Sequence, residues 1–462
     1  MAKKTLTRRA LMAGGVVGAG AAGFVGLAMS GRPAKLPPPA PAGWSNWSGG
    51  QRCNPAGIAA PADEAALGEL IKTAKGPIRP VGTGHSFTPL VPTDGTIVAL
   101  DRLHGIAAHD DATKTATIQA GTRLGEMSEA LYGLGQSTEI LPDINKQTLA
   151  GAISTSTHGT GIAFGSLSSF VTTLRLVTAS GEIVECSADQ QADVFNAARV
   201  GLGSLGIVTQ IGLRNRGQLV LQRNTWFEPI DQLIDRAPEL AQKHRHFEFY
   251  YLPFTGMALG ITNDESPLPP GAVPPTRDTD GLEDLRSLRD WLAWAPPLRR
   301  ATAKAIIAQF GPETLTAPSY QLLSTERPIR FNEMEYHIPR ESLQSTLRQV
   351  VKTVEDNFPG TFFPVEVRFI KEDDIWLSPF QGRPSCSIAA HVPAEEDYKP
   401  YFAALEPLYH AVGGRPHWGK LHTLTAKELA PLYPHWEDFK RVRLALDPEG
   451  KFMTPSMQRL LG

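Results

Sequence analysis

The stretch that most constrains the fold is Arg79-Pro-Val-Gly-Thr-Gly-His-Ser-Phe87, which joins a helix-like segment to an apolar, strand-like one. Gly82 and Gly84 permit backbone conformations that are closed to other residues, and they let a ligand approach the main chain. A loop of this kind can point successive N–H groups at a phosphate. His85 places an imidazole beside that loop. Taken alone, the stretch also fits an ordinary turn with an exposed histidine.

Two further glycine-rich segments follow in order. Residues 147–161 (QTLAGAISTSTHGTG) combine small and hydroxyl-bearing side chains with apolar ones, which suits a buried wall close to a pyrophosphate and a ribose. Residues 201–209 (GLGSLGIVT) lead from a turn into a strand. Helix-like and strand-like segments alternate around these motifs, so the sequence predicts a mixed fold of helices and sheets.

From about Leu219 onward, strand-like segments favour antiparallel pairing, and Leu282 to Phe310 predicts an amphipathic helix. The segment Val365-Glu-Val-Arg-Phe369 alternates with period two, which places Glu366 and Arg368 on the same face of a strand. A carboxylate and a guanidinium that face the same way form either a structural ion pair or part of a site.

The N-terminal residues 1–31 are typical of a targeting segment rather than of the fold. Adjacent arginines, Arg8 and Arg9, precede an apolar run rich in glycine and alanine, as in a twin-arginine export signal. Cleavage is expected near Ser30, and the alternative is an uncleaved membrane anchor. A GxGxxG match at 18–23 lies inside this segment without a preceding strand, so it does not indicate a dinucleotide site. Residues 32–43 hold five prolines and predict an extended linker.

Charge and cysteine content exclude several classes of function. The formal net charge is −2, so no basic field is present to gather nucleic acid. The three cysteines, Cys53, Cys186 and Cys386, form no CxxC pair, so neither a disulfide framework nor a thiolate zinc site is expected. A single disulfide among them stays open. We predict no metal site, and the absence of GxSxG argues against a hydrolase.

The ordered motifs RPVGTGHSF, LAGAISTSTHGTG, GLGSLGIVT, VEVRF, PHWGK and LDPEGKF together resemble the FAD-linked oxidases of the vanillyl-alcohol oxidase superfamily. Within it they are most similar to the branch of sugar-1,4-lactone and alditol oxidases. The resemblance covers Trp44 to Leu461 and implies an α+β fold. A two-subdomain, PCMH-type FAD-binding domain is expected over residues 44–214. A cap domain with a large antiparallel sheet flanked by helices is expected over 215–412, and residues 413–462 are expected to return to the FAD domain.

The same resemblance implies FAD as cofactor, attached covalently through His85. The residues that it assigns to cofactor binding are Gly82, Thr83, Gly84, His85, Ser86, Thr148, Gly151, Thr155, Ser156, Thr157, Val208 and His417. The residues that it assigns to catalysis are Glu366, Arg368, Lys420 and His391. The group that accepts the substrate's hydroxyl proton stays open among Glu366, His391 and Lys420.

The resemblance implies an enzyme that oxidises the CH–OH group of a sugar-1,4-lactone, such as D-arabinono- or L-gulono-1,4-lactone, by hydride transfer to the flavin. Alternatives are an oxidase for alditols, other polyols or oligosaccharides, and a dehydrogenase that passes electrons to a quinone or cytochrome instead of O2. Residues 143–149 are shorter than the matching segment of alditol oxidases and lack its serine, and Pro393 replaces a threonine. Both differences weaken an alditol assignment and favour a lactone or another sugar-like substrate. A non-catalytic exported flavin- or solute-binding protein would not need Glu366, Arg368 and Lys420.

Export through the twin-arginine machinery would place the folded enzyme in the periplasm or outside the cell.

Overall fold

The computed structural model describes residues 33, 35–270, 278–324 and 329–462. The predicted export signal, residues 1–31, lies outside the described residues and stays a prediction. In the described part of the predicted linker, Lys35 forms an isolated bridge with Glu396, and residues 36–42 contain no helix or strand. Among the helices that the structure describes, none is both long and apolar enough to cross a membrane.

The first layer is a small parallel sheet with one helix. Its elements are β1 (Trp44–Ser45), β2 (Arg52–Cys53), β3 (Gly57–Ala59), α1 (Glu64–Thr73), β4 (Ile78–Val81) and β5 (Thr96–Ala99). β1 and β2 form a short antiparallel pair, whereas β3, β5 and β4 lie side by side in that order and run parallel. Asp63 caps α1 by accepting a hydrogen bond from the Ala66 N–H at 2.8 Å. β4 ends where the Gly82–Ser86 loop begins.

The second layer is a five-stranded antiparallel sheet with strand order β10-β9-β11-β7-β6. Its segment of the chain contains β6 (Ile106–Asp110), β7 (Thr115–Gln119), α2 (Leu124–Gly133), β8 (Gln136–Ser137), α3 (Leu149–Ser154), β9 (Val171–Val177), β10 (Ile183–Ser187), α4 (Ala192–Ala198) and β11 (Ile207–Arg214). The short helix α3 begins inside the second glycine-rich motif, and β11 begins inside the third. The three motifs therefore lie where these two sheets meet.

The third layer is an eight-stranded antiparallel sheet, called the cap sheet below, with strand order β16-β13-β15-β14-β18-β19-β17-β20. Its segment contains β12 (Arg216–Gly217), β13 (Val220–Pro229), α5 (Ile230–Lys243), β14 (His246–Leu252), β15 (Met257–Glu265), α6 (Asp278–Leu292), α7 (Pro296–Ile307), β16 (Glu313–Pro318), α8 (Ser319–Leu322), β17 (Phe331–Pro339), α9 (Leu343–Asn357), β18 (Val365–Ile370), β19 (Ser385–Pro393), α10 (Lys399–His410) and β20 (Arg415–Pro416). Helices α5, α9 and α10 pack together against the sheet. The predicted α+β class, with a large antiparallel sheet flanked by helices, is confirmed.

The amphipathic stretch from Leu282 to Phe310 forms two helices rather than one. α6 ends at Leu292 and α7 begins at Pro296, with Ala295 in a non-helical conformation between them. Proline has no N–H to donate and its ring clashes with the preceding turn, so a helix begins there more readily than it passes through. The expectation of one helix is wrong for this reason.

The final segment contains α11 (Ala426–Leu429), α12 (Trp436–Leu446) and α13 (Pro455–Leu461). It contacts the first two layers: α12 packs on α4, and the Ile78 N–H donates to the Lys451 carbonyl at 2.8 Å. The chain thus returns from the cap sheet to the loop that follows β4. The domain boundaries predicted at 44–214, 215–412 and 413–462 stay predictions.

Candidate active site

The Gly82–Ser86 loop borders a cleft between the parallel sheet and the glycine-rich turn before β11. The cleft encloses about 1080 Å³ of space, part of it open to solvent. Nine of the predicted cofactor-binding residues line it: Gly82, Thr83, Gly84, His85, Ser86, Thr148, Gly151, Thr155 and Val208. The structure therefore brings together motifs that are far apart in sequence.

The loop offers its main chain to the cleft. The N–H groups of residues 83–86 donate to no acceptor in the part of the chain that the structure describes. Gly84 has a positive φ of 69°, a conformation that glycine adopts without strain. A Cβ on Gly82 would lie 2.2 Å from Thr148 Oγ1, so only glycine lets the loop pack against the cap of α3. Unpaired N–H groups in a narrow cleft suit the pyrophosphate of the FAD that the sequence implies.

His85 is held against aromatic surface at one end of this loop. Its ring stacks on Trp47, with 5.2 Å between centroids and 24° between planes. The Trp47 N–H donates to the Gly84 carbonyl at 2.7 Å, which fixes the stack. Burial, with smaller contributions from Lys420 and Lys146, lowers the pKa of His85 to about 4. The imidazole is therefore neutral at pH 7 and keeps the lone pair that a bond to a flavin carbon requires.

Arg79 is a structural residue of the cleft that the sequence did not single out as one. Its guanidinium is buried and donates to the carbonyls of Leu90, Leu202, Gly203 and Phe452 at 2.7–2.9 Å. Leu90 belongs to the segment of the first layer, Leu202 and Gly203 to that of the second layer, and Phe452 to the final segment. We call this set the Arg79 clamp. The only available signal was an arginine directly before a glycine-rich loop.

Three predicted cofactor-binding residues lie outside the lining of the cleft. Ser156 is fully buried with φ +59°, and its hydroxyl lies 3.3 Å from that of Ser378. The Thr157 hydroxyl accepts a hydrogen bond from Gln147 at 3.2 Å. His417 is buried too, and burial lowers its pKa to about 3.

The segment that carries His417 is tied directly to the cofactor loop. The Phe87 N–H donates to the Gly419 carbonyl at 2.7 Å, and the Thr88 hydroxyl donates to the Lys420 carbonyl. These bonds place Lys420 close to the His85 end of the cleft.

The cap sheet carries the predicted catalytic residues. Arg368 Nε lies 3.2 Å from Glu366 Oε1, so the same-face prediction for β18 is confirmed. β18 pairs with β14, which sets Tyr250 opposite Glu366 and Glu248 opposite Arg368. The Tyr250 hydroxyl lies 3.1 Å from Glu366 Oε1 and 2.9 Å from Asp143 Oδ2.

Lys420 and His391 meet at one glutamate of β17. Lys420 Nζ forms an ion pair with Glu333 Oε2, and His391 Nε2 lies 3.5 Å from Glu333 Oε1. Burial by itself would raise the pKa of Glu333, but Lys420 and His391 outweigh it and hold the value at about 2. Glu333 is therefore a carboxylate that orients two of the predicted catalytic groups.

Glu335, two residues along the same strand, orients the next pair. Its Oε1 accepts from Arg368 Nη2 at 3.0 Å and lies 3.0 Å from His158 Nε2. Burial would raise the pKa of Glu335, yet Arg368 and His158 keep it well below its usual range. Sequence reasoning missed Glu333 and Glu335, although the alternation of polar and apolar residues along this buried strand was a usable signal.

Glu366 differs from these two glutamates. Burial raises its pKa well above the usual range, and neighbouring Asp143 and Glu248 add to that effect while Arg368 opposes it. Glu366 is therefore the one of these three glutamates that retains a proton most readily. Glu366 also lies near Glu333 and His391. One carboxylate oxygen of each glutamate and one ring nitrogen of His391 lie within 4.8 Å of one another.

Three groups of acidic and histidine residues in the described structure are close enough to hold a metal ion: His158, Glu335 and His337; Glu333, Glu366 and His391; Asp143, Glu248 and Glu366. Every group borders a fixed cation. Arg368 contacts Glu335 and Glu366, and Lys420 contacts Glu333. A guanidinium or ammonium beside each group disfavours a bound cation, which supports the prediction of no metal site.

Two family models match the chain. A model described as D-arabinono-1,4-lactone oxidase matches residues 211–460, and a model described as FAD binding domain matches residues 55–187. An L-gulono-1,4-lactone dehydrogenase of Mycobacterium tuberculosis is 36% identical over 430 residues, covering 91% of this chain and 99% of that protein. An L-gulonolactone oxidase of Bos taurus is 29% identical, covering 90% and 98%. An alditol oxidase of a Streptomyces species is 27% identical, covering 90% and 98%.

Solved structures agree on the fold. A solvent-stable cholesterol oxidase superposes with a TM-score of 0.76 at 19% identity, covering 91% of this chain and 97% of that one. A cholesterol oxidase from Brevibacterium sterolicum gives 0.74 at 15% identity, covering 92% and 100%. At this identity the likeness concerns the fold alone. With the family models, the relatives and the cleft taken together, the chain belongs to the D-arabinono-1,4-lactone oxidase family of FAD-dependent oxidoreductases.

Proposed function

We propose that this enzyme oxidises a CH–OH group of a sugar-1,4-lactone, D-arabinono- or L-gulono-1,4-lactone, with FAD joined covalently to His85. The observation that carries the proposal is the convergence of Glu366, Arg368, His391 and Lys420 through the two glutamates of β17. Lys420 also borders His85, since it contributes to the lowered pKa of that imidazole. A cofactor tethered at His85 would therefore have these side chains beside it.

The residues around the cleft fit FAD. The N–H groups of residues 83–86 would hold the pyrophosphate, and Thr148 and Val208 would line the rest of the dinucleotide. Bound FAD supplies the two-electron oxidant. Arg368 and Lys420 are the cations available to stabilise the negative charge that two-electron reduction places near them.

Two features support a lactone over an open-chain alditol. Asp143 occupies the segment where alditol oxidases carry a serine, and its carboxylate reaches Tyr250 and the Arg368 side of the cluster. The Mycobacterium tuberculosis and Bos taurus relatives named for gulonolactone, at 36% and 29% identity, are also more similar to this chain than the alditol oxidase at 27%. An alditol is the second candidate, favoured by the polar side chains around Glu366 that could bind several hydroxyls.

The electron acceptor is proposed to be O2 or a quinone or cytochrome, because relatives are named both as oxidases and as a dehydrogenase. Comparing flavin reoxidation by air with reoxidation by a soluble quinone would separate the two. Fast reoxidation by air would assign an oxidase, and reoxidation by the quinone alone would assign a dehydrogenase.

The test of the function begins with purified protein. The yellow colour should survive acid precipitation, and the flavin band should bleach anaerobically with a sugar-1,4-lactone faster than with an alditol. His85→Ala should release its flavin on precipitation, whereas the control His104→Ala, at an exposed site, should retain it. A colourless protein from flavin-replete cells, or no bleaching by any lactone or polyol, would refute the proposal.

We also propose that residues 1–31 direct twin-arginine export of the folded, FAD-loaded enzyme to the periplasm or beyond. Support comes from Arg8-Arg9 and the apolar run that follows. Cell fractionation of the wild type and of an Arg8→Lys, Arg9→Lys variant tests this. Export that is unaffected by the double substitution, or holoenzyme found solely in the cytosol with residues 1–31 intact, would contradict it.

A further inference from the structure

The hydroxyl of Tyr250 stands between two carboxyl groups. It lies 2.9 Å from Asp143 Oδ2 and 3.1 Å from Glu366 Oε1. A phenol has one hydrogen to donate and lone pairs to accept with. Tyr250 can therefore donate to one carboxylate only, and the other contact is favourable when that carboxyl group is protonated and donates to the phenol oxygen. The geometry therefore favours one proton shared by Asp143 and Glu366.

The charges around Glu366 point the same way. Arg368 lies beside Glu366 on the same strand. Tyr250 and Glu248 face it from β14, and Asp143 faces it from the loop after β8. Glu333 faces it from β17 and His391 from β19. Arg368 is shared with Glu335, and His391 and Lys420 are engaged by Glu333. Three acids, Asp143, Glu248 and Glu366, thus share part of one guanidinium, which favours retention of a proton in this group.

The two ends of this arrangement differ in exposure. The Glu366 side chain is 6% exposed, whereas the Asp143 side chain is 18% exposed. Asp143 also comes from the FAD-domain side, in the segment that departs from the alditol oxidases. A proton that enters at Glu366 therefore has a path toward solvent through Tyr250 to Asp143.

We propose that Glu366, Tyr250 and Asp143 form a proton relay that carries the hydroxyl proton of the substrate from the buried cluster to Asp143. The inference rests on the proposed function, because it concerns the oxidation of a CH–OH group. In this relay the final proton acceptor is Asp143, which the sequence motifs did not predict to be catalytic.

The substrate hydroxyl gives its proton to Glu366 Oε2, Glu366 passes the proton on Oε1 to Tyr250 Oη, and Tyr250 passes its own to Asp143 Oδ2. Bound FAD would supply the two-electron oxidant that takes the hydride of the C–H bond, and the C–O bond of the substrate would become a carbonyl. Glu366 and Tyr250 end as they began, and Asp143 gains one proton, which it releases to solvent.

Stopped-flow flavin reduction by the lactone tests the relay in the FAD-loaded enzyme. Tyr250→Phe and Asp143→Asn should each slow reduction about 100-fold, the scale of positioned proton transfer, with little change in the lactone concentration for half-saturation. The wild-type rate should fall at acid pH, and Asp143→Asn should lose that fall, because its amide cannot accept the proton. Because both residues act in one path, the double variant should be no slower than either single variant.

Each alternative result is decisive. Losses that multiply in the double variant, or a rate unchanged by Tyr250→Phe, would overturn the relay while leaving the proposed function intact. Bleaching by no lactone or polyol in the wild type would overturn both. A second readout needs no substrate: an infrared pH titration should show a protonated carboxyl C=O band in the wild type that Glu366→Gln removes and Tyr250→Phe shifts. Absence of that band would overturn the shared proton.

Discussion

The cofactor cleft differs in its chemistry from the cap-sheet cluster, the group of charged side chains in and beside the cap sheet. The cluster consists of Glu333, Glu335, Glu366, Arg368, His391 and Lys420. The cleft is built from glycines, hydroxyls and main-chain N–H groups, and its histidine is kept neutral by burial. The cluster is built from buried carboxylates and cations that hold one another in place. The first presents a surface of fixed shape to a ligand. The second presents groups whose charge depends on their neighbours.

This difference predicts how each region fails. A change of shape should damage the cleft, whereas a change of charge should damage the cluster. Burial penalises an unpaired charge far more than it penalises a lost neutral contact. Variants of single residues in each region distinguish the two kinds of failure.

Arg368→Met should have the largest effect, because it leaves Glu335 and Glu366 without their shared guanidinium. We expect a loss of about 3–5 kcal/mol in the free energy of unfolding, measured by urea denaturation. The control Arg348→Met removes a surface ion pair with Asp235 and should cost about 1 kcal/mol or less. Equal losses in the two variants would erase the contrast between buried and exposed charge.

Glu333→Gln should slow flavin reduction about 10- to 100-fold, because hydrogen bonds to charged groups contribute about 1.5–3 kcal/mol. Lys420 and His391 would lose the carboxylate that orients them, while the cleft would keep its shape and its FAD. The control Glu313→Gln lies exposed on the edge strand of the same sheet and should leave the rate unchanged. Loss of FAD in Glu333→Gln would show that the two regions are not separable.

In contrast to Glu333→Gln, Gly82→Ala should reduce the FAD content of the protein. The added Cβ would overlap Thr148 Oγ1, so the loop must shift at a cost of about 1–3 kcal/mol and FAD content should fall. Gly133→Ala, where an added Cβ meets nothing within 4 Å, is the matched control. The flavin-to-protein absorbance ratio measures the result. Full FAD content in Gly82→Ala would mean that the loop tolerates a change of shape.

His422→Leu tests burial without charge pairing. Burial lowers the pKa of His422 to about 4 from 6.5, so the unfolded chain binds a proton that the folded chain rejects between those pH values. Stability is therefore full above about pH 6.5 and is lost as pH falls toward about 4, by about 1.4 kcal/mol per pH unit. Urea melts at pH 7, 6 and 5 should show a shallower fall in His422→Leu. If the free energy of unfolding falls equally with pH in the variant and in the wild type, the burial of His422 does not cause this fall.

The sequence predicted more of the residues of the cleft than of the residues of the cluster. The cleft depends on short contiguous motifs, in which the residue types themselves dictate a backbone that a ligand can approach. The cluster depends on which strands become neighbours: β17 and β18 both pair with β19, and nothing in the sequence places Glu333 beside His391 or Glu335 beside Arg368. Glu366 and Arg368 were predictable because they share one strand.

Asp143 shows a different limit. The sequence marked its segment as a departure from alditol oxidases, yet its meeting with Tyr250 depends on how the FAD-binding part of the chain docks on the cap sheet. Such contacts between distant segments follow from tertiary packing, and local pattern carries no information about them.

The Arg79 clamp sets an order of events during synthesis. One of its four carbonyls belongs to Phe452, which is 373 residues further along the chain. While the ribosome is still adding those residues, the cofactor loop lacks its last support and is free to sample other conformations. We therefore expect FAD capture to follow translation of nearly the entire fold. The yellow colour of bound FAD would then indicate that the chain was completed. A nascent chain halted before Phe452 should carry little FAD and lack that colour.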